Sequence, residues 1–138
     1  AVVTPRDYFA AFLTYVRCQY RDGKPYIGEY LDETTGRWLK GDQRSRDYNH
    51  STFADLLITG VVGLRPRADD VVEVYPLLPE GEWEWFCLDG VKYHGHILTI
   101  LWDRQGRRYG RGQGLRVLVD GAVIAHAAKL ERLTAHLP

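Results

Sequence analysis

Apolar side chains recur at helical spacing over the first twenty or so positions and at alternating positions over the second half of the chain. Tyr8, Phe12, Tyr15, Val16 and Gln19 share one helical face, which Phe9 and Leu13 widen, so a helix is predicted from about Pro5 to Tyr20. Thr4 is its N-cap, Pro5 takes the first helical position and Asp7 is the capping-box acid. Asp22-Gly23 reads as the stop. An apolar arc this broad calls for contact on more than one side.

A second apolar run, Leu56 to Leu64, follows Thr52 and Asp55, which repeat the capping-box spacing. Gly63 and Pro66 end it. Gly60 and Gly63 each lower helix propensity by roughly 1 kcal/mol relative to Ala, so packing must offset them. Small residues there let another element approach closely.

From Asp70 the period becomes that of strands. Val71 to Tyr75 stops at Pro76, and Leu77 to Gly81 is a turn-rich link. Glu82 to Leu88 alternates, Asp89-Gly90 predicts a hairpin turn, and Val91 to His96 returns. His96 to Trp102 is a further strand. Leu115 to Val119 and Ala122 to His126 flank the turn Asp120-Gly121, and Lys129 to Leu137 reads as a last edge strand. Helices followed by about five to seven antiparallel strands indicate an α+β fold or two separate structural units. The division falls near Arg65 to Asp70, giving a helical portion over 1–68 and an antiparallel β unit over 69–138.

Composition narrows the function classes. Among 138 residues, Lys plus Arg and Asp plus Glu number 18 each, for a formal charge of zero. That argues against a nucleic-acid or anionic-membrane partner. No apolar run is long enough to span a bilayer, and the start of the sequence has neither the basic nor the apolar region of a signal peptide. Cys18 and Cys87 sit in apolar patterns, so two buried free thiols are expected. They point to a reducing compartment and a cytoplasmic location.

Between the two helices, Gly23 to His50 has no sustained period yet is dense in Tyr, Trp, acids, Arg, Asn and His. A long irregular loop of this composition reads as site-bearing. Glu29 follows Gly28 and sits among Tyr26, Tyr30 and Trp38, which offer stacking surfaces for a sugar, while Arg44, Asn49 and His50 offer hydroxyl contacts. A glycosidase needs a carboxylate pair with such a grip. Asp32-Glu33-Thr34-Thr35-Gly36 contains the nearest other acids, but its composition is that of an exposed turn with Gly36 at a special backbone position. Asp47 to Ser51 places polar groups at a helix N-terminus, where they cap the helix or orient a ligand. Asn49-His50-Ser51 matches the glycosylation acceptor pattern by chance, absent a secretion signal.

Three other patterns have plainer readings. His94 and His96, two apart on a predicted strand, face the same way as metal ligands can, but with no third ligand they read as polar surface. Gly110-Arg111-Gly112-Gln113-Gly114 leads into a strand rather than a helix, which excludes a dinucleotide loop. Arg104, Arg107, Arg108, Arg111 and Arg116 are balanced by acids elsewhere and do not amount to a nucleic-acid surface. Neither a metal nor any other cofactor is expected.

Arg46 to Thr52, Gly63 to Asp70, Tyr93 to His96 and Leu101 to Asp103 together resemble the C-terminal end of bacterial glycoside hydrolases similar to mannosylglycerate hydrolase. These group with trehalase-like and processing α-glucosidase enzymes. The resemblance implies that the two helices close an (α/α)6 toroid and that the β part is the sandwich-like unit following such barrels. It also implies that Glu29, in Tyr26-Ile27-Gly28-Glu29-Tyr30 before Thr35-Gly36, is the general base of an inverting enzyme acting on α-linked sugars. Tyr48, Asn49 and His50 match positions near the sugar. The general acid, an Asp of an earlier barrel segment, has no counterpart here. The implied partners are a carbohydrate and either the rest of the barrel or a second copy covering the apolar helices. The alternative is a non-catalytic carbohydrate-binding or structural β module of a larger protein.

Overall fold

The structure, a computed structural model, describes residues 3–28, 30–38, 47–48 and 52–138. Helix α1 spans Pro5–Cys18 and starts where its cap dictates: Asp7 N–H donates to Thr4 Oγ1 at 3.2 Å and Thr4 N–H to Asp7 Oδ2 at 2.9 Å. Phe9 and Phe12 are buried, with Tyr8, Leu13 and Val16 packed beside them. The predicted stop is something else. Asp22-Gly23 is the turn between two short strands, β1 (Tyr20–Arg21) and β2 (Lys24–Pro25). With φ of 53° and 76°, the pair has the left-handed geometry that matches hairpin twist.

Helix α2 (Thr52–Asp55) runs directly into a π-helical segment, Leu56–Val62. Thr52 lies inside the first turn, so it is not the cap, and the preceding Ser51 lies outside the described residues. Gly63, at φ 86°, closes the segment by donating its N–H to Ile58 O at 3.0 Å. Both glycines admit close neighbours, as their size led us to expect. Tyr8 of α1 lies against Gly60 and its hydroxyl donates to Leu56 O at 2.8 Å, while the backbone of Tyr75 lies against Gly63.

The strands that follow are β3 (Leu64–Arg65), β4 (Val71–Val74), β5 (Trp85–Tyr93), β6 (His96–Asp103), β7 (Gly114–Val119), β8 (Ala122–Ala127) and β9 (Leu133–His136). They form an antiparallel sheet in the order β3-β4-β9 and another in the order β5-β6-β7-β8. The fold is α+β, with β9 at the edge of its sheet.

The predicted hairpin at Asp89-Gly90 is corrected. Strand β5 continues through it with a register irregularity between Leu88 and Val91, and the chain reverses instead at His94-Gly95. The cause is visible in the backbone. His94 and Gly95 have φ of 49° and 85°, the hairpin pair, whereas at 89–90 only Gly90 is left-handed, at 71°, the signature of a bulge. The same correction parts the two histidines. His94 sits in the turn with Nε2 2.8 Å from Arg67 O, and His96 opens β6 with Nδ1 2.7 Å from Asp120 Oδ2. They do not face the same way as a ligand pair. The cysteines are also less enclosed than expected. Both are free, Cys87 is exposed and Cys18 half-buried, because Cys87 falls on the outward side of β5, next to inward Phe86.

One apolar cluster runs through the helices and both sheets. Phe9, Phe12, Val61 and Val62 join Val72 and Val74 of β4, Leu98, Ile100 and Trp102 of β6, and Leu115, Val117 and Val119 of β7. The alternate positions on β6 and β7 supply its sheet side, as a period of two requires. Tyr93 fastens the 65–70 link to this body: its hydroxyl accepts from Arg67 N–H and donates to Val71 O, each at 3.1 Å.

Candidate active-site loop

The loop between α1 and α2 is built from short anchored pieces. Tyr26 N–H donates to Gln19 O at 2.9 Å, returning the chain to the end of α1, and the Arg21 guanidinium lies 5.2 Å from the centre of the Tyr26 ring. Asp47 N–H donates to Ile27 O at 2.8 Å, drawing the far end of the loop to its start. Leu31 and Trp38 form an antiparallel bridge around a turn.

That turn accounts for Asp32. Its Oδ1 accepts from Thr34 N–H at 3.0 Å, Thr35 N–H at 2.7 Å and Thr35 Oγ1 at 2.9 Å. The Thr35 backbone and hydroxyl donors hold its carboxyl below the usual range. Gly36 takes φ 63°. Asp32 therefore organises a turn, as its composition indicates, and is not placed as a second catalytic acid.

Gly28, which precedes Glu29 in the sequence, sits against two aromatic rings. A β-carbon there would lie 3.0 Å from the Trp38 ring and 3.1 Å from the Tyr26 ring. These two rings are 5.9 Å apart, centre to centre. Trp38 is 8% exposed, so its indole is spent on packing against Gly28 and Tyr26 rather than laid open, and its Nε1 is buried with no hydrogen-bond partner among the described residues. Tyr30 and Tyr48 are each 51% exposed and present aromatic surface to solvent. Glu29, Arg44, Asn49 and His50 lie outside the described residues.

A cavity of about 730 Å³ opens where the end of α1, the β1–β2 turn and the 35–38 segment meet, lined by Arg17, Arg21, Arg37, Asp22, Thr14 and Trp38 among others. Three guanidiniums against one carboxylate suit hydroxyl-rich or anionic ligands. Sequence reasoning passed over these arginines because they come from three separate elements. It also passed over the seating role of Gly28, which depends on a ring ten positions away. Among the described residues no group of three or more His, Cys, Asp or Glu is arranged to hold a metal. No helix there is long and apolar enough to cross a membrane.

Comparisons with known proteins find glycoside-hydrolase likenesses in two stretches of the chain. Residues 1–51 match the mannosylglycerate hydrolase MGH1-like glycoside hydrolase domain. Residues 64–126 match the glycosyl hydrolase family 65 C-terminal domain. A solved structure named "Sialidase" is 60% identical and superposes with a TM-score of 0.92 over 98% of this chain, which spans 13% of the length of that one. Two glycoside-hydrolase family models thus match successive stretches of the chain, an MGH1-like one first and a family 65 C-terminal one after it.

Proposed function

We propose that this chain contributes the general base and part of the sugar grip of a glycosidase whose remaining catalytic groups belong to a longer protein. Glu29 deprotonates the attacking water, and an acid carried elsewhere protonates the departing oxygen, with the two carboxyls about 6.5–9.5 Å apart as inversion requires. The substrate class is α-linked and the product anomer is inverted. The observation that carries this reading is the seating of Gly28 against Trp38 and Tyr26, which fixes the backbone immediately before Glu29 next to an exposed Tyr30.

The matched families support it, since both are glycoside hydrolases. Sialidase, the name of the solved relative, is also that of a glycosidase. Tyr26, Tyr30, Trp38, Tyr48, Asn49 and His50 shape the sugar site, Trp38 from beneath. We divide the chain into a helical portion over 1–68 that closes an (α/α)6 toroid and a β unit over 69–138. The rest of the toroid, or a second copy, covers the outer sides of the helices, and the protein works in the cytoplasm.

The deciding experiment replaces Glu29 by Gln in the longer protein. Loss of turnover with unchanged folding supports the base assignment. Wild-type turnover in a folded variant ends it.

A further inference from the structure

The outward side of the four-stranded sheet carries a second constellation that the loop chemistry does not use. Trp85 and Asp103 are register partners on β5 and β6. Asp103 is 2% exposed, and its carboxylate gathers the loop that follows. Oδ1 accepts from Gln105 N–H at 3.3 Å and Gly106 N–H at 2.8 Å, and Oδ2 from Arg108 N–H at 2.7 Å and Tyr109 N–H at 3.1 Å. Gly106, at φ 73°, has no room for a β-carbon against the backbone of Gln113. The loop is thus fixed before any ligand arrives.

It is fixed around an open indole. Trp85 is 48% exposed, with the Arg108 guanidinium 4.3 Å from its ring centre and Tyr109 edge-on at 6.4 Å. Trp85 stands between two hollows. One, of about 600 Å³, is mostly apolar, with Leu57, Val62, Trp83, Phe86 and Leu88 in its wall. The other, of about 310 Å³, shares Trp85 and has the polar residues Glu84, Gln105, Arg107 and Arg108 on its rim. Glu84 is itself held in place, accepting from Arg104 Nη1 at 2.7 Å and from Gln105 Nε2 at 3.4 Å.

A pyranose has the complementary make-up: a face of polarised C–H bonds, which the negative face of an aromatic ring attracts, and a rim of hydroxyls that need donors and acceptors together. Glu84 supplies acceptors, Arg107 supplies donors and Gln105 supplies both. Preorganisation by Asp103 removes part of the ordering cost that weakens surface sites. We propose that Trp85, with Glu84, Gln105 and Arg107, is a carbohydrate subsite on the β unit, separate from the loop around Glu29. It holds a sugar ring against the sheet and catalyses nothing.

The test is a titration of the isotopically labelled full chain with maltose and with methyl α-mannoside, following the indole N–H resonances of the four tryptophans and the side-chain amide of Gln105. Sorbitol, a polyol without a ring, is the control. The expected result is a saturable shift at Trp85 and Gln105 with a Kd on the order of 1 mM, while buried Trp102 stays in place. Trp85→Ala should weaken binding at least about tenfold, and Trp85→Tyr should keep most of it. Arg107→Ala, at an exposed position, should weaken binding severalfold without touching the fold, which keeps the test valid if Trp85→Ala does not fold. A response no larger or more saturable than that to sorbitol, with both sugars, overturns the proposal. So does an Arg107→Ala chain, or a folded Trp85→Ala chain, that titrates like the wild type. Glu29→Gln should leave this titration unchanged, so failure of one assignment is distinguishable from failure of the other.

Discussion

The phenol of Tyr8 and the α-carbon of Gly60 are in contact, with no space between them for a β-carbon. Two effects oppose each other at this position. Alanine gains roughly 1 kcal/mol of helix propensity over glycine, but forcing a methyl group into a packed contact costs about 1–3 kcal/mol. The Tyr8 hydroxyl is tied to Leu56 O, so the ring cannot easily give way. Gly60→Ala is therefore expected to destabilise the chain by about 1–2 kcal/mol, read from urea unfolding midpoints. In a Tyr8→Ala background the same change should become neutral or stabilising, because the two sites are directly coupled. Equal effects in both backgrounds would show that the contact carries no energy.

Asp103 gives the chain a specific acid sensitivity. Burial alone would push its carboxyl up, but the backbone N–H groups of Tyr109, Arg108, Gly106 and Gln105 together outweigh that and hold it below the usual range. A carboxyl depressed on folding contributes stability that is whole above its unfolded value of about 3.9 and is lost as pH falls through the lower folded value. Asp7, Asp32, Asp69, Glu73 and Asp120 are also held low and share this acid limb. Asp103→Asn should therefore make unfolding free energy fall less steeply between about pH 4 and 2, while lowering stability at neutral pH by about 2 kcal/mol or more. An acid slope identical to the wild type contradicts this account.

Tyr93 is a single bolt between the inter-element link and the sheet. Tyr93→Phe leaves Arg67 N–H and Val71 O without the partner they share. A loss of about 1–3 kcal/mol is expected. Amide exchange offers the sharper readout: protection at Arg67 should fall by more than protection at Leu98 or Ile100. Uniform loss across all three would mean that the hydroxyl acts on the core as a whole.

The proposed base leads to two kinetic expectations. Glu29→Gln in the longer protein should lower kcat by about 10²–10⁴, with little change in stability. Gly28→Ala should lower kcat/KM, because its β-carbon meets Trp38 and Tyr26 at 3.0 and 3.1 Å and must shift the residue that follows. Proton NMR of the first product from an α-glycoside should show the β anomer. An initial α anomer indicates retention and removes the inverting assignment.

What the sequence reveals here follows from how local each signal is. Thr4, Asp7, Gly63 and Asp120-Gly121 act within a few residues of themselves, and the elements they bound lie where they were expected. Asp89-Gly90 and His94-Gly95 are both compatible with reversal, and the choice is made by where β6 finds its register, a pairing that local composition does not encode. The π-helical segment is likewise invisible to periodicity, since it coincides with a tyrosine 52 positions away. In the loop, the turn at Asp32 was legible because the hydrogen bonds of the Asp32 carboxylate and the Thr35 hydroxyl fall between residues 32 and 37. The arginine cavity and the Trp85 platform were not, since each is assembled from segments far apart in sequence.

The pairing of β4 with β9 sets a temporal order on biosynthesis. Val71 finds its partner in His136 and Val74 in Leu133, so a ribosome must make everything through His136 before β4 has a second neighbour. Until then the nascent chain holds a four-stranded meander built from neighbouring hairpins, while β4, flanked only by the two residues of β3, keeps an open edge. Closure waits on the most sequence-distant pairing among the described strands, the one that carries the largest loop-closure cost. The wait makes that interval the one in which a chaperone or a neighbouring nascent chain has most to bind.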